Sequence, residues 1–323
     1  MAIAAAALKQ ELPSVLTDNS RLMSMPLSSI PTDVPLQYPV YVKVNDKFVL
    51  FRNAGDVLTS ERSGQLASKN VESAFISKDD LKSFVALLEK GLQAVGIRAN
   101  PEIQGMGLRN LLHVYWKVLE EKKELDQTLF NHIKDATAKV PLLFAQDRSL
   151  AVKLLKRYQS PIEYYSNHSV NVSLYAVAIG MKVKLSEDEL RNLALAGCAA
   201  NIGIIEIPRE ILYKPGDLDE KEWAVMKAHP KRSEEILKLL FAPAEVAQAA
   251  GEHHERFDGS GYPSGKKGEE ISVMGRILSI AEVYNALTSN KPWSPAVSAT
   301  EAVDMMGKMD GRFDTSLLSF VVK

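Results

Sequence analysis

Apolar and polar residues alternate along the N-terminal part of the chain, and the period becomes helical after about residue 100. The run YPVYVKVNDKFVLF alternates on both sides of Asn45 and Asp46, two residue types that tolerate the backbone angles of a tight turn. This pattern predicts an antiparallel hairpin. A third strand is predicted in VESAFI, and Ser77 with Asp80 three residues later resembles a helix-starting capping box.

The residues after this start signal predict an amphipathic helix. Apolar side chains recur there at helical spacing, at Leu81, Phe84, Leu88 and Leu92. Pro101 disfavours helix at Asn100 and so marks a boundary, beyond which every periodic segment is helical. We therefore expect a mainly α protein with a small α+β regulatory or dimerisation domain over 1–98. A helical connector over 99–158, or an extension of the helical core, leads to an all-helical domain over 159–323.

Composition narrows the classes of partner. The 323 residues carry a formal net charge of -1, which gives no electrostatic case for nucleic acid or an anionic membrane as a partner. The lone cysteine excludes an internal disulfide and fits a reducing compartment. The apolar run near the N-terminus is short for a signal peptide and lacks basic residues before it, so a cytoplasmic protein is expected.

Candidate chemistry concentrates in the second half of the chain. His253 and His254 end a helical run, and His229 and His168 lie upstream. Imidazole is the commonest metal ligand in proteins, so His229, His253 and His254 together could supply three nitrogens to one ion. A lone histidine on a helix is more often structural, and His113 and His132 are interpreted in that way.

A glycine-rich loop follows the two adjacent histidines. Its sequence, ERFDGSGYPSG, contains Gly259, Gly261 and Gly265, which allow positive φ angles and close backbone approach. Tyr262 in the same loop could stack on a ligand or form a hydrogen bond with it. Histidines joined to such a loop indicate a metal and ligand site more strongly than either feature alone.

These residues resemble a known family. HHERFDGSGYP matches, residue for residue, the HHExxDGxGYP signature of the HD-GYP family, and ILYKPGDLDEKEWAVMKAHP is similar to the segment before that family's HP histidine. The resemblance covers roughly 159–320. It implies an all-helical HD domain with a two- or three-metal site, usually iron or manganese, that hydrolyses the bacterial second messenger cyclic-di-GMP.

The chain departs from this family where the signature His-Asp pair should stand. The family reads HDIGKIGIP where this chain reads ANIGIIEIP, so Ala200, Asn201 and Ile204 replace the family's histidine, aspartate and lysine. An asparagine amide cannot offset two divalent charges as a bridging carboxylate does, and alanine contributes no ligand. The resemblance therefore implies a weakened or lost second half of the metal site.

Further substitutions surround the same site. The family's metal-binding aspartate falls on Glu282 and a second aspartate on Asn285, while Tyr164 stands where the family has a glutamate. The family's RPY segment with its following basic residue becomes KPWS, in which Lys291 keeps one charge and Ser294 loses the other.

The expected site residues follow from this comparison. The metal ligands implied by the resemblance are His168, His229, His253, His254 and Glu282. The expected cofactor is one iron or manganese ion, or no metal at all. No catalytic residue is assigned, because the family positions are replaced. The residues expected in the ligand-binding loop and near it are Glu255, Asp258, Gly259, Gly261, Tyr262, Pro263 and Lys291.

Three functions remain open at the level of sequence. The favoured hypothesis is a degenerate, catalytically impaired HD-GYP signalling protein that acts as a cyclic-di-GMP receptor or protein-interaction module. The alternatives are an active metal-dependent cyclic-di-GMP phosphodiesterase with a variant site, and a structural dimerisation protein. The expected partners are cyclic-di-GMP and a signalling protein, with a homodimer as a further candidate and with neither nucleic acid nor membrane involved.

Overall fold

The chain forms two compact units, Met1–Gly96 and Ile97–Lys323. The computed structural model describes residues 15–16, 20–69, 71, 73–94, 101–123, 125–147, 154, 164–291 and 294–321. The segment SLAVKLLKRYQ, residues 149–159, has apolar residues at helical spacing and lies almost wholly outside these residues, as do Pro292 and Trp293 of the KPWS segment.

The first unit is built on a five-stranded antiparallel sheet with the strand order β1-β4-β3-β5-β2. The strands are β1 (Val15–Leu16), β2 (Leu22–Pro26), β3 (Val40–Val44), β4 (Lys47–Arg52) and β5 (Ser73–Ser77). The hairpin and the third strand predicted from the sequence correspond to β3, β4 and β5. Strands β1 and β2 were not predicted, since neither shows a clear alternation.

The β3–β4 turn explains the register of the sheet. Asn45 and Asp46 have φ angles of 47° and 61°, the left-handed conformation that a two-residue hairpin turn requires at both central positions. Val44 consequently pairs with Lys47, and one face of the hairpin packs into an apolar cluster. That cluster comprises Leu22, Tyr41 and Phe48, with Leu50 and Phe75 against it.

Two helices complete the first unit, α1 (Ser60–Ala67) and α2 (Leu81–Ala94). The Ser77 side chain accepts a hydrogen bond from the backbone of Asp79, and a short 3₁₀ turn, Lys78–Asp80, leads into α2. The predicted start signal is therefore present, but Ser77 caps this turn instead of α2 itself. Phe84 is fully buried on the predicted apolar face and packs edge-on against Tyr38.

The second unit is helical throughout its described residues. Its helices are α3 (Pro101–Lys122), α4 (Gln127–Thr137), α5 (Val140–Gln146), α6 (Tyr164–Lys182), α7 (Glu187–Ala199), α8 (Arg209–Leu212), α9 (Glu220–Met226), α10 (His229–Leu239), α11 (Ala244–Glu252), α12 (Val273–Thr288), α13 (Ala299–Gly307) and α14 (Thr315–Leu318). The predicted fold class, a helical domain preceded by a small α+β unit, is confirmed.

The packed pair of helices α6 and α7 forms the centre of this unit. Ser186 and Glu189 form a reciprocal capping box that starts α7, and nearly all of α6 is buried because other helices surround it. The two helices approach closely at Gly197, where a Cβ atom would lie 2.7 Å from the Cα of Ser173. Helix α12 packs against α6 and α11, and α3, α4 and α5 pack against the α6–α7 pair.

Helices α3 to α5 thus belong to the same compact unit as the predicted 159–323 domain. Within the part of the chain that the structure describes, no helix combines the length and apolar character needed to cross a bilayer.

Candidate metal centre and ligand cleft

Four separate elements bring the sequence-predicted metal ligands together. His229 begins α10, His253 and His254 directly follow α11, and Glu282 lies in the middle of α12. His168 lies one turn into α6. The packing of α10 on α11 and of α12 on both α6 and α11 places these side chains around one buried region.

The first half of the centre is a cluster of three imidazoles, His229, His253 and His254. Their candidate ligand atoms all lie within 4.8 Å of one another. His229 Nδ1 donates to the carbonyl of Met226 at 2.8 Å, and His253 Nδ1 donates to the carbonyl of Ala250 at 2.6 Å. Since a neutral imidazole carries one proton, the Nε2 atoms of His229 and His253 are left with free lone pairs.

The two Nε2 atoms face each other at a distance of 3.1 Å. Burial lowers the pKa of His229 to about 3, helped by the neighbouring His253, and burial also lowers the pKa values of His253 and His254. The rings are therefore neutral at physiological pH, and protonation does not relieve the repulsion of their lone pairs. A shared cation would relieve it.

The spacing of the lone pairs fits one divalent ion. Metal–nitrogen bonds of about 2.0–2.1 Å at tetrahedral or octahedral angles place two ligand nitrogens about 2.8–3.4 Å apart. The observed 3.1 Å falls inside this range. The backbone carbonyls that hold each Nδ1 proton are the outer partners that orient metal-binding histidines.

The second half of the centre has a different character, because its polar atoms are paired with one another. His168 Nε2 donates a buried hydrogen bond to Glu282 Oε2, and Asn201 Nδ2 donates to Glu282 Oε1 at 2.6 Å. Asn285 Nδ2 donates to His168 Nδ1 at 2.7 Å. Both oxygens of Glu282 and both ring nitrogens of His168 thus have protein partners.

The orientation of Asn285 is fixed by further hydrogen bonds. Its Oδ1 accepts from Asn171 Nδ2 at 3.0 Å and from Ser289 Oγ at 2.9 Å. Its amide nitrogen must therefore face His168, whose proton lies on Nε2 toward Glu282. Burial raises the pKa of Glu282, but His168 and Asn201 outweigh burial and hold it at about 2.

Few lone pairs in this half are left for a second ion. Ala200 is fully buried and offers only a methyl group, and Asn201 presents an amide N–H, instead of a lone pair, toward Glu282. Tyr164, at the position of the family's glutamate, packs its ring on His168 with the ring centroids 5.3 Å apart. The structure thus brings His168 and Glu282 together, with a hydrogen bond from one to the other.

The glycine loop is held by carboxylates that point into it. Glu255 is 1% exposed, and its two oxygens accept from the backbone N–H groups of Ser264 and Lys266 at 2.7 and 3.1 Å. Asp258 accepts from the backbone of Ser260 at 2.8 Å. A Cβ atom at Gly261 would lie 2.3 Å from Arg256 N, so only glycine fits there.

The loop contributes one ring to the site. Tyr262 stacks on His254 with the ring centroids 4.9 Å apart and lines the adjoining cleft, while Pro263 follows it on the exposed side of the loop. Gly259 adopts a φ angle of 86°, as the sequence predicted for this loop. Lys291 is partly buried, pairs with Ser294 through its backbone, and is not among the described residues that line the cleft.

A cleft of about 480 Å³ opens beside the metal centre, a size in the range of small-molecule sites. Residues from both halves of the centre line it, together with a segment that sequence reasoning did not single out. The lining residues are Tyr164, Tyr165, His168, Asn201, Ile204, Ile211, Leu212, Lys214, Gly216, Asp217, Leu218, Trp223, Met226, His229, His254, Tyr262, Glu282, Val283 and Ala286.

Sequence reasoning missed Lys214, Asp217 and Trp223. In the sequence they lie between Asn201 of one half of the centre and His229 of the other. Their spacing does not match that of residues on one face of a helix. Their only signal was their position inside the stretch that resembles the family. The side chain of Tyr165 helps to place this segment, because its hydroxyl donates to the carbonyl of Leu212 at 2.9 Å.

Comparison with known proteins identifies the family to which the helical unit is similar. The sequence model of the HD domain family matches residues 139–317. Cyclic di-GMP phosphodiesterase PA4108 from Pseudomonas aeruginosa is 34% identical over 174 residues, which is 54% of this chain and 42% of that protein. The 3'3'-cGAMP-specific phosphodiesterase 3 of Vibrio cholerae is 33% identical over 183 residues, 57% of this chain and 40% of that protein. The match thus spans about two fifths of each relative's length.

A solved structure extends the similarity to both units. Bd1817, described as a HDG"Y"P protein from Bdellovibrio bacteriovorus, superposes with a TM-score of 0.73 at 19% identity and covers 93% of this chain and 98% of its own. At that identity the likeness shows the fold alone. The family resemblance inferred from the histidine and glycine motif is confirmed by the family match and the relatives, and the chain belongs to the HD domain family.

Proposed function

We propose that this chain is a signalling protein that binds a cyclic dinucleotide in its cleft and has lost most or all phosphodiesterase activity. The ligand class comes from the relatives, whose names specify phosphodiesterases of cyclic di-GMP and 3'3'-cGAMP. The loss of activity is argued from this chain's own residues. It is therefore a receptor built on a phosphodiesterase fold.

The hydrogen bond from Asn201 to Glu282 carries the proposal. Two-metal hydrolysis needs carboxylates and imidazoles with free lone pairs on both sides of the reacting phosphate. Here Glu282 and His168 satisfy each other, Asn201 supplies a donor, and Ala200 supplies nothing. An additional cation in this half would have to displace two buried charge-assisted hydrogen bonds to Glu282, which is strongly unfavourable.

The other half retains the means to hold one ion. His229, His253 and His254 would bind a single iron or manganese ion, which acts as a Lewis acid toward a phosphate oxygen when bound. Tyr262 keeps His254 oriented by stacking on it. The aromatic and aliphatic lining of the cleft excludes water from a bound base. Lys214 lies on the same lining and is paired with Glu222 at 2.5 Å.

A slow hydrolase with one metal is the second candidate. The observation that favours it is the 3.1 Å separation of two unprotonated Nε2 atoms, a ligand geometry preserved beside a ligand-sized cleft. Such an enzyme would have to activate water with one ion. Turnover measurements separate it from the receptor.

The test combines metal content, binding and turnover on one preparation. We expect at most one iron or manganese ion per chain by plasma mass spectrometry after anaerobic purification, binding of cyclic-di-GMP by calorimetry, and no linear product. A triple variant, with Ala200→His, Asn201→Asp and Ile204→Lys, should bind more metal than the wild type. Two ions per wild-type chain with multiple turnovers would overturn the proposal, and one ion with slow turnover would favour the second candidate.

A further inference from the structure

One wall of the cleft carries a set of side chains suited to reading a base. The wall runs from the end of α8 through the loop before α9 and into α9 itself, over residues 211–226. It places a carboxylate, Asp217, and an aromatic ring, Trp223, beside the cleft, with the ammonium of Lys214 on the same wall. None of these residues belongs to the metal centre.

Asp217 differs from Asp219 and Glu222 because its carboxylate has no partner in the described structure. Among the described residues it has neither a hydrogen bond nor an ion pair, and it is exposed at the cleft. Glu222, in contrast, accepts from Lys214 Nζ at 2.5 Å and from the backbone of Asp219 at 2.8 Å. Asp219 in turn caps α9. Among the described residues of the wall that line the cleft, Asp217 is therefore the acidic residue that offers a free carboxylate to a ligand.

Trp223 provides a flat apolar surface at the mouth of the same cleft. It lies on α9, and 46% of the side chain remains exposed although it lines the cleft. A base that stacks on an aromatic side chain gains affinity regardless of its identity, because every base has a π-face. Trp223 can therefore hold a base in place without selecting it.

The carboxylate of Asp217 can distinguish guanine from adenine. An ionised carboxylate only accepts hydrogen bonds, and its two oxygens match a pair of adjacent N–H donors. The Watson–Crick edge of guanine offers such a pair at N1 and N2, whereas the same edge of adenine combines a donor at N6 with an acceptor at N1. The acceptor of adenine would face a carboxylate oxygen and be repelled.

We infer that Asp217 selects a guanine base of the bound cyclic dinucleotide by accepting hydrogen bonds from its Watson–Crick edge while the base stacks on Trp223. This inference rests on the proposed function and adds the base preference of the cleft. One carboxylate can bind one base at a time, so a ligand with a single guanine is sufficient for this contact.

The test measures dissociation constants of the full-length protein for four ligands by calorimetry. We expect cyclic-di-GMP and 3'3'-cGAMP to bind within a few-fold of each other, and cyclic-di-AMP to bind about 5- to 150-fold more weakly, the value of one bidentate base contact. Asp217→Asn should weaken binding of the two guanine ligands by that factor and should not weaken binding of cyclic-di-AMP, because the amide no longer repels adenine N1. Trp223→Ala should weaken all three by about 5- to 150-fold, and Trp223→Phe should restore most of the loss.

Glu210→Gln is the matched control, since it removes an exposed carboxylate that does not line the cleft. GMP as the fourth ligand separates base recognition from dinucleotide recognition. If Asp217→Asn leaves the ratio of cyclic-di-GMP to cyclic-di-AMP affinity at its wild-type value, the inference is wrong. If GMP binds as tightly as cyclic-di-GMP and depends on Asp217, the inference stands and the proposed ligand is wrong. Folded wild-type protein that binds no cyclic dinucleotide and no GMP overturns both.

Discussion

The side-chain nitrogen of Asn201 donates a hydrogen bond to Glu282 Oε1 across 2.6 Å, in a region where both residues are buried. The other oxygen of Glu282 is paired with His168. One neutral amide thus completes an internal network where the family resemblance implies a metal-binding aspartate.

Changing Asn201→Asp should destabilise the protein when no metal is present. Two buried carboxylates would then lie in the position of the present hydrogen bond, and an uncompensated buried charge costs about 3–5 kcal/mol. Urea unfolding in the presence of a chelator measures the loss, which added manganese should partly reverse. Asn192→Asp is the control, because Asn192 makes the same type of bond to Glu245 at an exposed site. Equal losses for both variants would contradict the prediction.

Removing one imidazole of the three-histidine cluster should lower metal content. His253→Ala deletes a fully buried Nε2 that faces His229 Nε2, and two remaining ligands do not retain an ion. Metal per chain should fall at least about 10-fold by plasma mass spectrometry. His132→Ala, which changes a histidine outside the centre that contacts Tyr115, should leave metal content unchanged. A wild-type metal level in His253→Ala would mean that the ion binds elsewhere.

Gly261→Ala should disrupt the glycine loop. The new Cβ would lie 2.3 Å from Arg256 N and 2.5 Å from Glu255 Cα, both backbone atoms that cannot move aside locally. We expect a loss of about 1–3 kcal/mol in the free energy of unfolding, and weaker ligand binding because Tyr262 follows directly. Gly307→Ala meets no atom within 4 Å and serves as the control. The prediction fails if the two variants are equally stable.

Cys198 should not react with thiol reagents in the folded protein. Burial raises the pKa of this thiol to about 12, so almost none is thiolate at pH 8, and the side chain is 1% exposed. Titration with a chromogenic disulfide should report no thiol in native protein and one thiol per chain in guanidinium. Rapid reaction of the native protein would show that α7 opens readily, because Cys198 lies near its end.

Local patterns were sufficient for much of the fold. The β3–β4 hairpin follows from Asn45 and Asp46, whose backbone preferences act within the turn itself. The helical unit follows from apolar spacing along each helix, and the motif around His253 and His254 identified the family. Strand β2 escaped detection because it is buried along most of its length and carries no alternation.

The roles of the loop carboxylates could not be predicted. Glu255 and Asp258 belong to a motif associated with ligands, yet both accept hydrogen bonds from the loop's own backbone. Which way a short acidic side chain turns depends on the path of the loop, and that path is fixed by contacts such as the one at Gly261.

By itself the sequence determined the family, the two-part architecture and the set of histidines that can bind a metal, because these depend on short-range spacing and residue type. Only the tertiary structure decided that Asn201 pairs with Glu282, and that Asp217 and Trp223 share a cleft with His229. These residues are far apart along the chain, and their side chains meet because the packing of α6, α10, α11 and α12 brings their helices and loops together. Local sequence patterns do not indicate which distant residues come into contact. Those contacts depend on the free energy of packing the whole helical unit.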